Sequence, residues 1–133
     1  FMQDYAARSP VRAAFHDQAE LCNKFGSDFT AQLLRGIERI LTPKTRFGAR
    51  ILSWKGDPSA TADALPLRAA GALHALARSN REPLLTAVYP PHSAVGQDAL
   101  EYALEHAISV HDAELASWLD QAPQTNEVGT GTA

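Results

Sequence analysis

Apolar residues recur three or four positions apart in one segment of the sequence after another. The segment SDFTAQLLRGIERIL shows the pattern most clearly, because Phe29, Leu33 and Ile37 each lie about one helical turn from the next. This spacing places apolar side chains on a single face of an α-helix. No segment alternates convincingly between apolar and polar residues, and β-branched residues do not cluster, so strands are not expected. The sequence therefore predicts an all-α fold.

Residues that begin and end helices divide the chain into about five to six helical segments. Pro10 suits a first helical turn, where its missing N–H costs nothing, and Gly26 suits the position just after a helix. Either Thr42 or Thr45 can cap a third helix. We expect a compact helical bundle followed by a flexible C-terminal tail. The predicted helices cover roughly residues 10–25, 28–41, 43–54, 64–79, 83–88 and 97–120.

The alanine-rich segment ADALPLRAAGALHALARSN is predicted to be the central helix of the bundle. Its other sides carry mainly alanine and glycine, so neighbouring helices could approach its backbone closely on more than one side. The same feature argues against a roomy interior cavity. The apolar stripe expected to face the core consists of Leu65, Ala69, Ala72, Leu73 and Leu76.

Composition limits the compartment and the partners. The length of 133 residues suits one domain, and the formal net charge of −3 gives no reason to expect a nucleic-acid partner. A single cysteine, Cys22, excludes an internal disulfide and fits a reducing cytoplasm. No apolar run approaches the roughly 20 residues that a membrane span needs. We therefore predict a cytoplasmic protein without a membrane or nucleic-acid partner.

Metal, cofactor and nucleophile sites find little support in the sequence. His106 and His111 are five positions apart, which on one helix separates them by roughly 140°, and His111 suits a hydrogen-bonded histidine of the core better than a metal ligand. Cys22 falls on an apolar helix face and reads as a structural residue. The closing GTGTA lacks the strand and helix of a dinucleotide fingerprint. We expect neither a metal nor a cofactor.

Basic residues and one histidine form the candidate binding set. Arg46 and Arg50 are four positions apart and would share one face of a predicted helix. Arg68 lies inside the alanine-rich helix, where a buried guanidinium needs carboxylate or carbonyl partners. Arg68 could bond to a loop such as GDPS for structural reasons, or it could contact an anion or a partner domain. His74 is the natural proton carrier of the set, because an unperturbed imidazole titrates near neutral pH.

Four segments carry a resemblance to a known family: TRFGARILSWKGDP, DALPLRAAGALHALARS, LTAVYPP and PQTNEV. In order and wording they resemble the uncharacterised bacterial family called domain of unknown function 2332. The resemblance implies longer members, in which PQTNEV joins a helical first half to a second half. It therefore implies a helical domain over residues 1–122 and a linker or tail over 123–133. Gln124, Thr125, Asn126 and Glu127 would then be either binding residues or simply linker.

Three functional hypotheses follow from the sequence. In the first, the chain is a helical N-terminal cap or docking module of a larger two-domain protein, with the C-terminal domain or a second copy as its partner. In the second, the chain is part of an enzyme whose pocket uses Arg46, Arg68, His74 and the PQTNEV segment and is completed by the second half. The third is a self-contained ligand-binding bundle. Whether the chain is an enzyme stays open at this stage.

Overall fold

The computed structural model describes residues 10–55, 57–58, 64–90 and 96–120. Helices account for 77% of this part of the chain, which contains no strand, so the all-α prediction is confirmed. None of the described helices is long and apolar enough to cross a membrane. The seven helices are α1 (Pro10–Lys24), α2 (Asp28–Ile40), α3 (Arg46–Leu52), α4 (Leu65–Arg78), α5 (Pro83–Val88), α6 (Gln97–Val110) and α7 (Asp112–Leu119).

The helix α4 is central, as the sequence predicts. It packs against α1, α2, α5 and α7, and all five residues of its predicted core stripe are buried. The helix ends where Asn80 adopts a φ of 62°, a left-handed conformation that asparagine tolerates better than most residues. The longest side chains around it, including Phe15, Phe47 and Ile37, have no exposed surface. Burying each such side chain contributes about 1.5–3 kcal/mol to folding.

The start of α3 depends on three polar contacts. Of the two candidate caps, Thr45 is the one used, because its hydroxyl accepts the backbone N–H of Gly48 at 2.9 Å. The carboxylate of Asp112 accepts the backbone N–H groups of Arg46 and Phe47 at 2.7 and 2.8 Å. Because α7 begins at Asp112, these bonds join the N-terminal ends of the two helices. They also satisfy N–H groups that a helix cannot satisfy internally.

The last predicted helix is divided in two. We expected one helix over residues 97–120, but α6 ends at Val110 and α7 begins at Asp112, which gives one helix more than expected. His111 lies between them with φ −113° and ψ 27°, outside helical geometry. Its imidazole is bonded to Glu82, and the neighbouring Asp112 is bonded to the start of α3. These contacts with distant parts of the chain hold the break against a locally favourable helical sequence.

Candidate functional site

A pocket of about 310 Å³ opens between α2 and α4, and we call it the α2–α4 pocket. Its walls are mainly apolar, with a hydroxyl from Thr30 and an imidazole from His74 as polar exceptions. Both helices present their exposed faces here, since His74 is exposed and Thr30 is half-buried. The apolar part of the wall consists of Phe29, Leu33, Ala70, Gly71 and the ring of Tyr89.

Tyr89 forms the aromatic wall of this pocket. Its ring lies edge-on to Phe29, with centroids 4.8 Å apart, and is tilted against His74 at 5.7 Å. The residue is only 7% exposed, and its hydroxyl has no hydrogen-bond partner among the described residues. Burial raises the pKa of the Tyr89 hydroxyl well above its ordinary value, because the phenolate would lose its hydration. The side chain is therefore a buried, neutral hydrogen-bond donor that is not in use.

A second cluster fixes the end of α7, and we call it the α7 anchor: Arg50, Trp54 and Arg68 acting on Leu119 and Asp120. The guanidinium groups of Arg50 and Arg68 lie 4.6 and 5.7 Å from the centroid of the Trp54 ring. Arg50 also pairs with the carboxylate of Asp120 at 2.7 Å, and Arg68 donates to the carbonyl of Leu119. The carbonyl partner expected for Arg68 is thus present, at the last residue of α7.

The third cluster surrounds Glu82, the only buried charged residue in the part of the chain that the structure describes. One carboxylate oxygen lies 3.2 Å from Nε2 of His111, and the other lies 3.4 Å from Nε2 of His106. The two histidines were expected to point in different directions from one helix. This expectation is wrong, because that helix ends at Val110 and does not include His111. His111 is hydrogen-bonded and largely buried, as predicted. Among the described residues, no three or more His, Cys, Asp or Glu side chains form a group that could hold a metal ion.

An exposed ion pair extends the Glu82 cluster to the surface. Both terminal nitrogens of Arg81 donate to the carboxylate of Glu114, one of them at 3.0 Å. These hydrogen bonds lower the pKa of Glu114 and raise the pKa of Arg81. The same carboxylate lies 4.0 Å from Nδ1 of His111. Charged and ionisable groups of α6, α7 and the residues before α5 therefore form one continuous chain.

The structure places the predicted binding residues in three different surroundings. Arg46 is exposed at the start of α3, Arg68 belongs to the α7 anchor, and His74 lines the α2–α4 pocket. No contact described above joins any two of them. The four polar residues at 124–127 lie outside the described residues. The described contacts thus bring together no two of Arg46, Arg68 and His74.

Three residues of these clusters were not singled out from the sequence. Glu82 precedes a proline at the start of a short helix, a position where an acidic side chain is normally exposed. Trp54 and Tyr89 have the apolar surroundings of ordinary core aromatics. Only the pair of arginines four positions apart in TRFGAR hinted at a shared face. The signal for these clusters lies in contacts between helices, not in local sequence.

The comparisons with known proteins agree with the resemblance seen in the sequence. The model of the family described as "Uncharacterized protein conserved in bacteria (DUF2332)" matches residues 12–133, which is nearly the whole chain. No curated protein and no solved structure matches the chain. The match includes every helix from α2 to α7 and all of α1 after its first two residues. The protein therefore belongs to the bacterial family DUF2332.

Proposed function

We propose that this chain is a helical docking module that positions a second domain of the same, larger protein. The observation that carries the proposal is the α7 anchor. Arg50 of α3 and Arg68 of α4 bond to the last two residues of the described chain, Asp120 and Leu119. Both guanidinium groups also lie over the ring of Trp54, which follows α3. The polar segment that would lead to the second domain begins immediately after this point.

The anchor makes sense as a device that fixes direction. The last turn of a terminal helix usually frays, because few contacts hold it. Here two cations lie over one indole ring, and each also bonds to the end of α7. A cation over an aromatic ring contributes about 0.5–1 kcal/mol at exposed sites, so two of them with an ion pair give a useful constraint. A chain leaving this point starts from a fixed position and direction.

The surface next to the anchor is the proposed contact with the second domain. Trp54 is partly buried, while Arg50 and Asp120 keep 39% and 54% of their side chains exposed, so aromatic and charged groups are both accessible there. Such a mixture of tryptophan and arginine is typical of protein–protein interfaces. A second copy of the chain is the competing occupant of this surface, and the experiment below separates the two.

The test starts with the gene and continues with hydrogen exchange. We expect the reading frame to continue beyond Ala133 into a second domain. That domain, produced separately and added to this chain, should slow amide exchange at the end of α3 and in α7. Trp54→Ala should weaken this binding at least tenfold. The matched control is Arg81→Ala, which breaks an ion pair at another surface site and should leave the binding unchanged.

Two results would contradict the proposal. A stop codon directly after Ala133 would remove the second domain, and protection that the Trp54 substitution leaves intact would place the contact elsewhere. Protection that depends on the concentration of this chain alone would indicate a homodimer. The alternative of an enzyme fragment draws less support, because Arg46, Arg68 and His74 lie at three separate sites.

A further inference from the structure

We propose that the α2–α4 pocket binds a small planar aromatic carboxylate, with the ring against Tyr89 and Phe29 and the carboxylate at His74. This inference does not depend on the docking function, because the pocket shares no lining residue with the α7 anchor. Its volume of about 310 Å³ lies at the lower end of the range typical of small-molecule sites. A molecule of one or two fused rings fits that space.

Gly71, which lines the pocket, has no packing reason to be glycine. Glycine inside a helix lowers its stability relative to alanine. A Cβ atom built at this position would meet only Nε1 of Trp118 at 3.6 Å, an ordinary contact distance. By contrast, Gly36 is closely packed, since a Cβ there would come within 3.0 Å of Leu104. Packing therefore does not explain the glycine, and Gly71 borders the pocket without adding a side chain to it.

The hydroxyl of Tyr89 is a second unfavourable feature at the same place. A buried hydroxyl without a partner lowers stability, and most native proteins avoid the arrangement. Proteins commonly accept such features where they serve binding. Gly71 lies in α4 and Tyr89 directly follows α5, yet both residues border one pocket. Their coincidence there is the main support for a ligand.

The polar groups of the pocket select the charge of the ligand. Thr30, His74 and Tyr89 can all donate hydrogen bonds, and the lining residues that the structure describes include no carboxylate. A hydrogen-bond acceptor is therefore favoured over a cation, and a carboxylate could accept from more than one of these donors. Because the Tyr89 hydroxyl has almost no exposed surface, its ring would have to shift for the hydroxyl to reach the ligand.

Calorimetric titration with 2-naphthoate tests the inference, and 2-naphthylmethylammonium provides a probe of similar shape and opposite charge. We expect saturable binding of naphthoate and at least tenfold weaker binding of the cation. Gly71→Leu fills the pocket and should abolish naphthoate binding. Ala99→Leu introduces the same side chain at an exposed position of α6 that does not line the pocket, and it should leave binding unchanged. Tyr89→Phe should weaken naphthoate several-fold.

Circular dichroism and thermal unfolding of each variant show whether it is folded. If Gly71→Leu fails to fold, Gly71→Ala takes its place, because a methyl group fits there and should still weaken binding. Equal affinity for naphthoate and the ammonium probe would overturn the inference. So would full affinity in a folded Gly71 variant, or absence of naphthoate binding at millimolar concentration. None of these outcomes bears on hydrogen exchange at α3 and α7, so the two proposals succeed or fail separately.

Discussion

Two buried polar side chains lower the stability of this protein. Within the part of the chain that the structure describes, the buried hydroxyl of Tyr89 has no partner, and the buried carboxylate of Glu82 pairs with the imidazoles of His106 and His111. Each group would be more favourably placed in water, since burial of a polar group is costly unless hydrogen bonds replace hydration. The two residues flank the short helix α5, which has only six residues and therefore few hydrogen bonds of its own.

Replacing Tyr89 by phenylalanine should stabilise the protein, increasingly at alkaline pH. The folded pKa of Tyr89 lies above the unfolded value of about 10, so the unfolded chain loses its proton first as pH rises. Wild-type stability should therefore be complete below pH ~10 and fall above it, by up to about 1.4 kcal/mol per pH unit. The phenylalanine variant lacks this contribution.

Urea unfolding of the two proteins between pH 8 and about 11 measures the difference. Tyr102→Phe is the control, because Tyr102 is 64% exposed and should show no such dependence. If Tyr89→Phe and wild type lose stability in parallel as pH rises, the hydroxyl is not buried in solution.

Helices in this protein are set partly by local sequence and partly by distant contacts. The apolar stripes on α2 and α4 were predictable, because apolar residues that recur every three to four positions are visible within a short stretch of sequence. The break at His111 was not predictable, because it depends on two distant bonds. Asp112 bonds to the start of α3, and His111 bonds to Glu82. Propensity favours one continuous helix there, and bonds across the bundle override it.

Asp112→Ala should therefore affect two helices at once. The change removes the acceptor for two backbone N–H groups at the start of α3, and loss of a helix cap typically costs about 0.5–2 kcal/mol. It also releases the bond that helps hold the break, so α6 and α7 should gain continuity. Denaturant unfolding measures the loss, and amide exchange at residues 110–113 reports the continuity. Asp98→Ala, at an exposed position in the first turn of α6, should change stability by less than about 0.5 kcal/mol.

At the scale of the whole bundle, several contacts between helices were not evident from the sequence. The predicted fold class and nearly all helices are confirmed, because amphipathic helices of this length leave few other ways to bury their apolar faces. The Glu82 cluster, the α7 anchor and the α2–α4 pocket each combine residues from at least three segments. Such sites depend on how helices are oriented, which no local pattern encodes. His74 and Arg68 were predicted as binding residues, and the structure places them at the α2–α4 pocket and in the α7 anchor, but their partners were not foreseeable.

Glu82→Ala should destabilise the whole molecule. It leaves His106 and His111 without their carboxylate and opens a space where α5, α6 and α7 meet. Loss of a buried hydrogen-bonded partner costs about 1–3 kcal/mol. Thermal unfolding should show a clearly lower midpoint than wild type. Glu105→Ala, an exposed acidic residue of α6, is the matched control and should change the midpoint little; an equal effect of both changes would contradict this role for Glu82.

The carboxylate at Glu82 also has a consequence for the order of assembly. Water must leave this carboxylate before α5 can dock, and inside the bundle that step is strongly unfavourable until replacement donors are in place. His106 and His111 supply those donors only after α6 has formed and the chain has turned at its end. We therefore expect α5 to dock late in folding, after the other helices have packed together.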